Sequence, residues 1–180
     1  MTLKKTRIIA VIGIFILNFI FHFAYSTLPN TLFSIFFPVN ESIFEHMKLI
    51  FSSAIFYGII DYFILKKNNL STNNSIFATL VNALSTIVIF LIIWLPIYYK
   101  MGENMVITVF ILFIAIMIGQ VLSYFILNKE IKFKYLNVVS IISIIIIYII
   151  MAYFTYNPLK VDFFFDPIDE KYGINTYLIK

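Results

Sequence analysis

Residues 38–65 read PVNESIFEHMKLIFSSAIFYGIIDYFIL, an apolar run of membrane-spanning length that opens on a charged segment, residues 38–48. That opening places two carboxylates, an imidazole and an ammonium at the mouth of the span. Charged groups cost about 2.5–3.5 kcal/mol each at the centre of a membrane helix and less near its ends, so they mark a functional site by default. The sequence therefore predicts where a site lies, but it does not name a reaction.

The composition of the whole chain indicates a membrane protein. Hydrophobic residues make up 62% of its 180 residues and charged residues 12%, against roughly 25% charged in a soluble domain. There is no cysteine, which excludes disulfides, thiolate metal sites and cysteine nucleophiles. The net charge of +4 comes from Lys and Arg in short loops between apolar runs. We expect no nucleic-acid partner, because such a protein would carry a basic face or a recognisable module.

Five apolar runs, each close to the roughly 20 residues that a bilayer requires, predict five membrane-spanning helices. They are residues 8–25, 42–65, 75–99, 105–127 and 135–156. A signal peptide is the alternative for the first run, but its apolar core is usually only about 7–15 residues long. Between the first two runs, Pro29 and Pro38 bound a stretch too short to span, which predicts an interfacial or re-entrant turn. The predicted fold class is an all-α, polytopic membrane helix bundle.

The positions of the positive residues predict how the bundle is oriented. One set of helix ends carries eight of them and the other set four: Lys4, Lys5, Arg7, Lys66, Lys67, Lys129, Lys132 and Lys134 against Lys100, Lys160, Lys171 and Lys180. Because cytoplasmic loops are enriched in Lys and Arg, we expect the N-terminus inside and the C-terminus outside the plasma membrane. We predict a transmembrane bundle over residues 1–156 and an extracytoplasmic tail, packed on its outer face, over residues 157–180. The abundant Ile, Asn and Lys suggest a bacterial source.

The two histidines of the chain fall in one predicted layer near the outer face. His22 lies about one turn from the end of the first span, and His46 about one turn into the second. At 100° per residue, Glu41, Glu45 and Lys48 share one stripe, and His46 lies on its flank. A short connection makes the two spans antiparallel neighbours. We therefore expect His22 to face Glu45 and His46.

Two imidazoles with one or two carboxylates suit a divalent metal, zinc most readily, with an open position for water. Such a site could activate water or polarise a carbonyl or phosphoryl oxygen, with Glu45 as the base. The spacing matches no metalloprotease signature, since there is no His-Glu-x-x-His. Three alternatives remain open: a metal-free proton relay, an ion pair of Lys48 with Glu41 or Glu45, and a capping box formed by Ser42 and Glu45.

Polar residues deeper in the spans are expected to be structural. Asp61, near the inner end of the second span, is expected to pair with Lys66 or to reach the headgroups. Asn82 and Thr86 in the third span and Gln120 in the fourth are expected to hydrogen-bond between helices, as such residues usually do in membranes.

The motif in residues 38–48, with His22-x-x-Tyr25 before it, resembles a family of small multi-pass membrane proteins of Gram-positive bacteria that is catalogued as a domain of unknown function. Phe44 stands where that family has Trp. Residues 165–167 and 172–174 of the tail resemble the family's closing segment. The resemblance implies no reaction, but it implies that the tail and the Glu-His segment form one site. The candidate metal ligands are then His22, Glu45, His46 and Asp166, and the candidate catalytic residues Glu41, Glu45, Lys48 and Tyr172.

Several classes of function are compatible with this pattern. The first is a metal-dependent hydrolase or transferase that acts on a lipid or envelope substrate at the outer face. The alternatives are a transporter or sensor of protons, metal ions or a small solute, and a partner subunit of a larger membrane complex. Membrane lipids are the expected partners in each case.

Overall fold

Helices account for most of the chain in the computed structural model, which describes residues 1–174. They are α1 (Leu3–His22), α2 (Ala24–Thr27), α3 (Thr31–Phe36), α4 (Ile43–Lys67), α5 (Ser75–Met101), α6 (Met105–Leu127) and α7 (Lys134–Tyr156). The five long ones are long and apolar enough to cross a membrane, which confirms the predicted all-α bundle of five spans. The short α2 and α3 occupy the turn predicted between the first two spans. Residues 175–180, which include Lys180, lie outside this description.

The helices begin at polar residues that cap their free amides. The Ser42 hydroxyl accepts a hydrogen bond from the Glu45 amide at 3.3 Å, and Asn104 caps α6 in the same way at 3.2 Å. The Ser42 amide donates to the Asn40 side chain at 2.9 Å, so Glu45 does not complete a capping box. The carboxylate of Glu45 is therefore available for another partner.

Helix α4 is the central and most buried span, packed between α1 and α5. Helix α6 packs on α5 and α1, and α7 packs on α5 and α3. Gly13 allows α1 to approach α4, because a Cβ there would lie 2.0 Å from a ring carbon of Tyr57. One face of α7 exposes a run of isoleucines, as expected of a helix that faces lipid.

The alternation of the spans gives the bundle two distinct ends. The site end carries the C-terminus of α1, the N-terminus of α4 and the tail; the lysine-rich end carries the N-terminus of α1 and the C-terminus of α4. At the lysine-rich end Arg7 and Asp61 form a buried ion pair between α1 and α4. Arg7 also donates to Gln120 of α6 at 3.2 Å. The expected pairing of Asp61 with Lys66 is therefore wrong.

The tail folds back over the site end. A short 3-10 helix, Asp162–Phe164, leads into a two-stranded antiparallel hairpin of β1 (Phe165–Asp166) and β2 (Lys171–Tyr172). The ring of Phe164 packs 4.6 Å from that of Phe44 on α4. Gly173 has a positive φ of 65°, and its carbonyl accepts a hydrogen bond from the Asn40 side chain at 3.0 Å. The tail is thus attached to the segment that leads into α4.

Candidate functional site

His22, Glu41 and His46 form a compact cluster at the site end. Glu41 Oε2 lies 3.4 Å from His22 Nε2 and 3.4 Å from His46 Nε2. The two imidazole rings are 5.6 Å apart between centroids, and the three ligand atoms all lie within 4.8 Å of one another. The three side chains are partly exposed, between 27% and 36%, so solvent reaches the cluster.

The backbone around the cluster sets the direction of each side chain. His22 is the last residue of α1, Glu41 precedes α4, and His46 lies in the first turn of α4. His46 Nδ1 lies 3.0 Å from the Ser42 carbonyl oxygen. Because a carbonyl only accepts, Nδ1 carries the proton in this bond, and in the neutral ring Nε2 presents its lone pair to Glu41.

The charge of the cluster is centred on Glu41. Its hydrogen bond with His22 holds the pKa of the carboxyl below its usual value, and a positive charge on the nearby His46 would act in the same direction. Burial and the charge of Asp169 oppose this shift. Glu41 is therefore ionised at neutral pH. When the His46 ring is neutral, this carboxylate faces the lone pair of Nε2, which is an unfavourable contact unless a proton or a cation lies between the two atoms.

Glu45 and Lys48 form a second polar group, buried beneath the cluster. The Lys48 ammonium lies 2.5 Å from Glu45 Oε2, 2.8 Å from the Thr155 hydroxyl and 2.9 Å from the Ser34 carbonyl, which occupies all three of its donors. The Thr155 hydroxyl in turn donates to Glu45 Oε1 at 2.7 Å, and the Val39 amide donates to Oε2 at 3.2 Å. Both charged side chains are almost fully buried. This pair joins α4 to α3 and α7.

The carboxylate beside the two imidazoles is thus that of Glu41. The expected stripe of Glu41 with Glu45 and Lys48 does not form, because α4 begins at Ile43 and the 100° spacing does not extend to Glu41. Thr155, which joins Lys48 to Glu45, was not predicted as a site residue. Nothing in the sequence distinguishes it from other threonines near helix ends.

Asp166 and Tyr172 come close to the cluster by way of the tail hairpin. Asp166 is buried, and its Oδ2 accepts from the Glu41 amide at 3.2 Å. Its Oδ1 accepts from the amides of Ile168 and Asp169 at 2.8 and 3.2 Å. Asp166 therefore fixes the backbone that carries Glu41. The ring of Tyr172 is partly buried against Phe165, at 5.1 Å between centroids, and lies beneath the Lys160 ammonium at 4.4 Å.

A cavity of about 400 Å³ adjoins the cluster. Glu41 and His46 form part of its lining, so the cluster opens into it. Aromatic side chains from α5 form another part, and Glu103 and Asp162 are the other acidic residues of the lining. The cavity is large enough for a small molecule or the headgroup of a lipid.

The fold and the site define a multi-pass helical membrane protein with a His–Glu–His cluster near one end of its bundle. The chain belongs to the DUF6512 family, a family of unknown function, which matches residues 1–174. This confirms the resemblance to a family of unknown function; its range in Gram-positive bacteria and its Trp-containing motif stay predictions. No curated protein and no solved structure matches the chain.

Proposed function

We propose that His22, Glu41 and His46 bind a divalent cation, zinc in the first instance, at the outer face of the plasma membrane. We propose further that the protein is a metal-dependent hydrolase or transferase acting on a lipid or envelope substrate. The observation that carries the metal site is the pair of 3.4 Å separations between Glu41 Oε2 and the two imidazole nitrogens. With bonds of about 2.0–2.1 Å, two ligand atoms of a tetrahedral zinc site lie about 3.3–3.4 Å apart.

Two further features support a metal ion at this position. The Ser42 carbonyl holds the proton of His46 on Nδ1, as backbone carbonyls commonly do for histidines that bind a metal through the other nitrogen. Lys48, whose charge would repel a metal ion, is directed to Glu45 and away from the cluster by its three hydrogen bonds. Three protein ligands with partial exposure leave a fourth position for water or substrate, which is typical of catalytic zinc.

The other roles in such a reaction are assigned to residues of the chain. A divalent cation at this site would supply activated water and polarise a carbonyl or phosphoryl oxygen. Asp166 holds the Glu41 backbone, and Ser42 orients His46. Glu103 and Asp162 border the adjoining cavity and are the candidate proton acceptors. Glu45, buried in its ion pair with Lys48, acts as a support for α4.

The test is a metal analysis of protein purified with an affinity tag that lacks histidine. The chain has only two histidines, so histidine-dependent zinc binding reports this cluster alone. We expect about one zinc per wild-type chain, and its loss in Glu41→Gln and in the His22→Ala, His46→Ala double variant. Glu130→Gln, which removes a carboxylate at the lysine-rich end, is the matched control and should keep its zinc. Well-folded wild type that neither retains zinc nor binds it at about 100 μM would refute the proposal.

A second candidate function, proton or metal-ion transport, is favoured by unpaired polar groups along α1 and α4. Within residues 1–174, Asn18 Oδ1, Ser53 Oγ and Tyr57 OH are buried without a hydrogen-bond partner. Asn18 lies one turn from His22, and Tyr57 lies one turn from Asp61 at the lysine-rich end. Buried polar groups without partners are places where ordered water is expected.

Transport and hydrolysis are separated by an assay in liposomes. If the protein carries protons, liposomes that contain it should relax an imposed pH difference faster than empty ones. The Tyr57→Phe and Ser53→Ala variants should then slow this relaxation, because each removes one of the unpaired hydroxyls. Relaxation no faster than in empty liposomes, at either polarity of the membrane potential, would exclude proton transport.

A further inference from the structure

The cavity beside the cluster has an aromatic lining on α5. Phe90, Trp94 and Tyr98 follow one another at intervals of four residues, and their rings stack at 5.4 and 4.5 Å between centroids. The Trp94 indole donates to the Thr108 hydroxyl of α6 at 2.8 Å, which fixes its orientation. Tyr99 and Phe165 add two further rings to the lining. Most of the surface that a ligand would contact is therefore apolar and rigid.

The charged groups of the cavity are of one sign. Glu41, Glu103 and Asp162 contribute carboxylates, and none of the lining residues, all within the described part of the chain, is Lys or Arg. Glu103 and Asp162 are exposed, which places their charge where the cavity meets solvent. In the metal-free protein, a ligand rich in phosphate would meet three negative groups without a counter-charge; with a metal ion on Glu41, the carboxylates of Glu103 and Asp162 remain. A cationic ligand would be attracted to them instead.

We propose that this cavity binds an organic ammonium group, and that the substrate of the proposed metal site is a lipid with an amine-bearing headgroup. The assignment of this lipid as a substrate rests on the proposed function, whereas the binding of an ammonium group rests on the cavity alone. Aromatic rings bind quaternary ammonium groups in many proteins, and nearby carboxylates add the attraction of opposite charges. The cavity lies at one end of the membrane-spanning helices, where lipid headgroups lie, and its rings offer an apolar surface to the chain beside the headgroup.

Binding can be observed directly, because Trp94 is the only tryptophan in the sequence. The purified protein is titrated in dodecylmaltoside micelles with choline, ethanolamine, inorganic phosphate and glucose, and Trp94 fluorescence is followed. We expect a saturable change with choline and ethanolamine and none with phosphate or glucose. The Glu103→Gln, Asp162→Asn double variant should weaken choline binding about tenfold, since it removes two of the three charges. Raising the salt concentration should weaken it in the wild type as well.

Two additional titrations identify the source of the ammonium group. Diheptanoyl-phosphatidylcholine should bind more tightly than choline if a lipid is the ligand, because its acyl chains add apolar contact. Equal affinities would support a free amine and overturn the lipid assignment. Diheptanoyl-phosphatidylglycerol, which has the same chains without the ammonium, should bind at least tenfold more weakly.

The controls separate this proposal from the metal site. Glu130→Gln removes a distant carboxylate and should leave choline binding unchanged. Choline binding by wild type that holds no zinc would support the cavity proposal while the proposed function fails. A fluorescence change of equal size with glucose, tighter binding of phosphate than of choline, or no effect of the double variant would each overturn the ammonium proposal.

Discussion

Replacement of Lys48 by methionine should destabilise the protein strongly, because it leaves a buried carboxylate without its counter-ion. Lys48 is 0% exposed and Glu45 1% exposed at the side chain. In Lys48→Met, the Glu45 carboxylate keeps only the Thr155 hydroxyl and the Val39 amide as donors. Removal of one partner of a buried ion pair typically costs about 3–5 kcal/mol. We expect the free energy of unfolding to fall by about that amount.

A double variant separates the ion pair from simple packing. In Glu45→Gln with Lys48→Met no buried charge is left, and the main losses are the hydrogen bonds to the Ser34 carbonyl and the Thr155 hydroxyl, together about 1–2 kcal/mol. The double variant should therefore be more stable than Lys48→Met alone by about 2 kcal/mol. If Glu45 were a metal ligand, its replacement by Gln would also lower the zinc content of the protein.

The zinc content of each variant is measured on the protein as purified. Stability is then measured on metal-free protein, to exclude ligand effects, by reversible unfolding in mixed dodecylmaltoside and dodecyl sulfate micelles followed by Trp94 fluorescence. A loss below about 1 kcal/mol in Lys48→Met would contradict the burial of the pair. A double variant no more stable than Lys48→Met would show that the two charges do not depend on each other.

Three further predictions follow from the contacts described above. Asp61→Asn should lower the free energy of unfolding by about 3 kcal/mol in the same assay, because the buried guanidinium on α1 loses its partner, whereas Lys66→Met should change it by less than about 0.5 kcal/mol. Gly13→Ala should cost about 1–3 kcal/mol, since its new Cβ would overlap the Tyr57 ring; it should cost much less combined with Tyr57→Leu. In metal-free protein, the ionised Glu41 should contribute to the free energy of unfolding, because its pKa is lower in the folded than in the unfolded state. Unfolding measured between pH 7 and 3 should show this contribution disappear as the pH falls from the pKa of an unfolded Glu through the lowered pKa of Glu41. Glu41→Gln should lack this component; an identical pH profile in that variant would disprove it.

The bounds of the spans could be predicted because length and hydropathy decide them. The predicted spans agree with the long helices to within a few residues at most ends, since only a helix satisfies its own backbone in lipid. The layer shared by His22 and His46 was predicted from the same argument, because consecutive spans joined by a short segment run antiparallel. Both imidazoles lie in the cluster that the structure forms.

The partners of the charged residues were less predictable. The prediction that Glu45 faces His22 is wrong: helical spacing does not extend to Glu41, which precedes α4, and Glu41 is the carboxylate beside His22. The Arg7–Asp61 pair could have been found: Arg7 lies 15 residues before His22, and Asp61 lies 15 residues after His46. Antiparallel helices with equal rise per residue bring two such positions to the same depth. In the sequence, Arg7 is one of the positive residues at the helix ends that indicate the orientation of the bundle.

The family resemblance implies that the tail meets the Glu-His segment, as it does, but the individual partners of α7 and of the tail could not be predicted, because they depend on which spans are neighbours. Neighbouring helices in a bundle are selected by side-chain packing, and hydrophobic runs of similar composition carry little information about it. The hydroxyl of Thr155 became important only because α7 packs beside α3 and α4 at the site end. The position of Asp166 beneath Glu41 likewise depends on the hairpin that returns over the bundle.

The two polar groups at the start of α4 have different roles that follow from their depth. Glu45 and Lys48 are buried and fully hydrogen-bonded, so they fix α4 to α3 and α7 but have no free atom for a ligand. Glu41 and His46, on either side of Glu45 in the sequence, are partly exposed, and Glu41 Oε2 lies 3.4 Å from Nε2 of both His46 and His22. A site that must exchange a ligand with solvent needs such exposed groups, and it keeps their geometry only if the backbone beneath them is rigid. The buried pair supplies that rigidity, which explains why the chain places four charged or titratable side chains within one short segment at the start of α4.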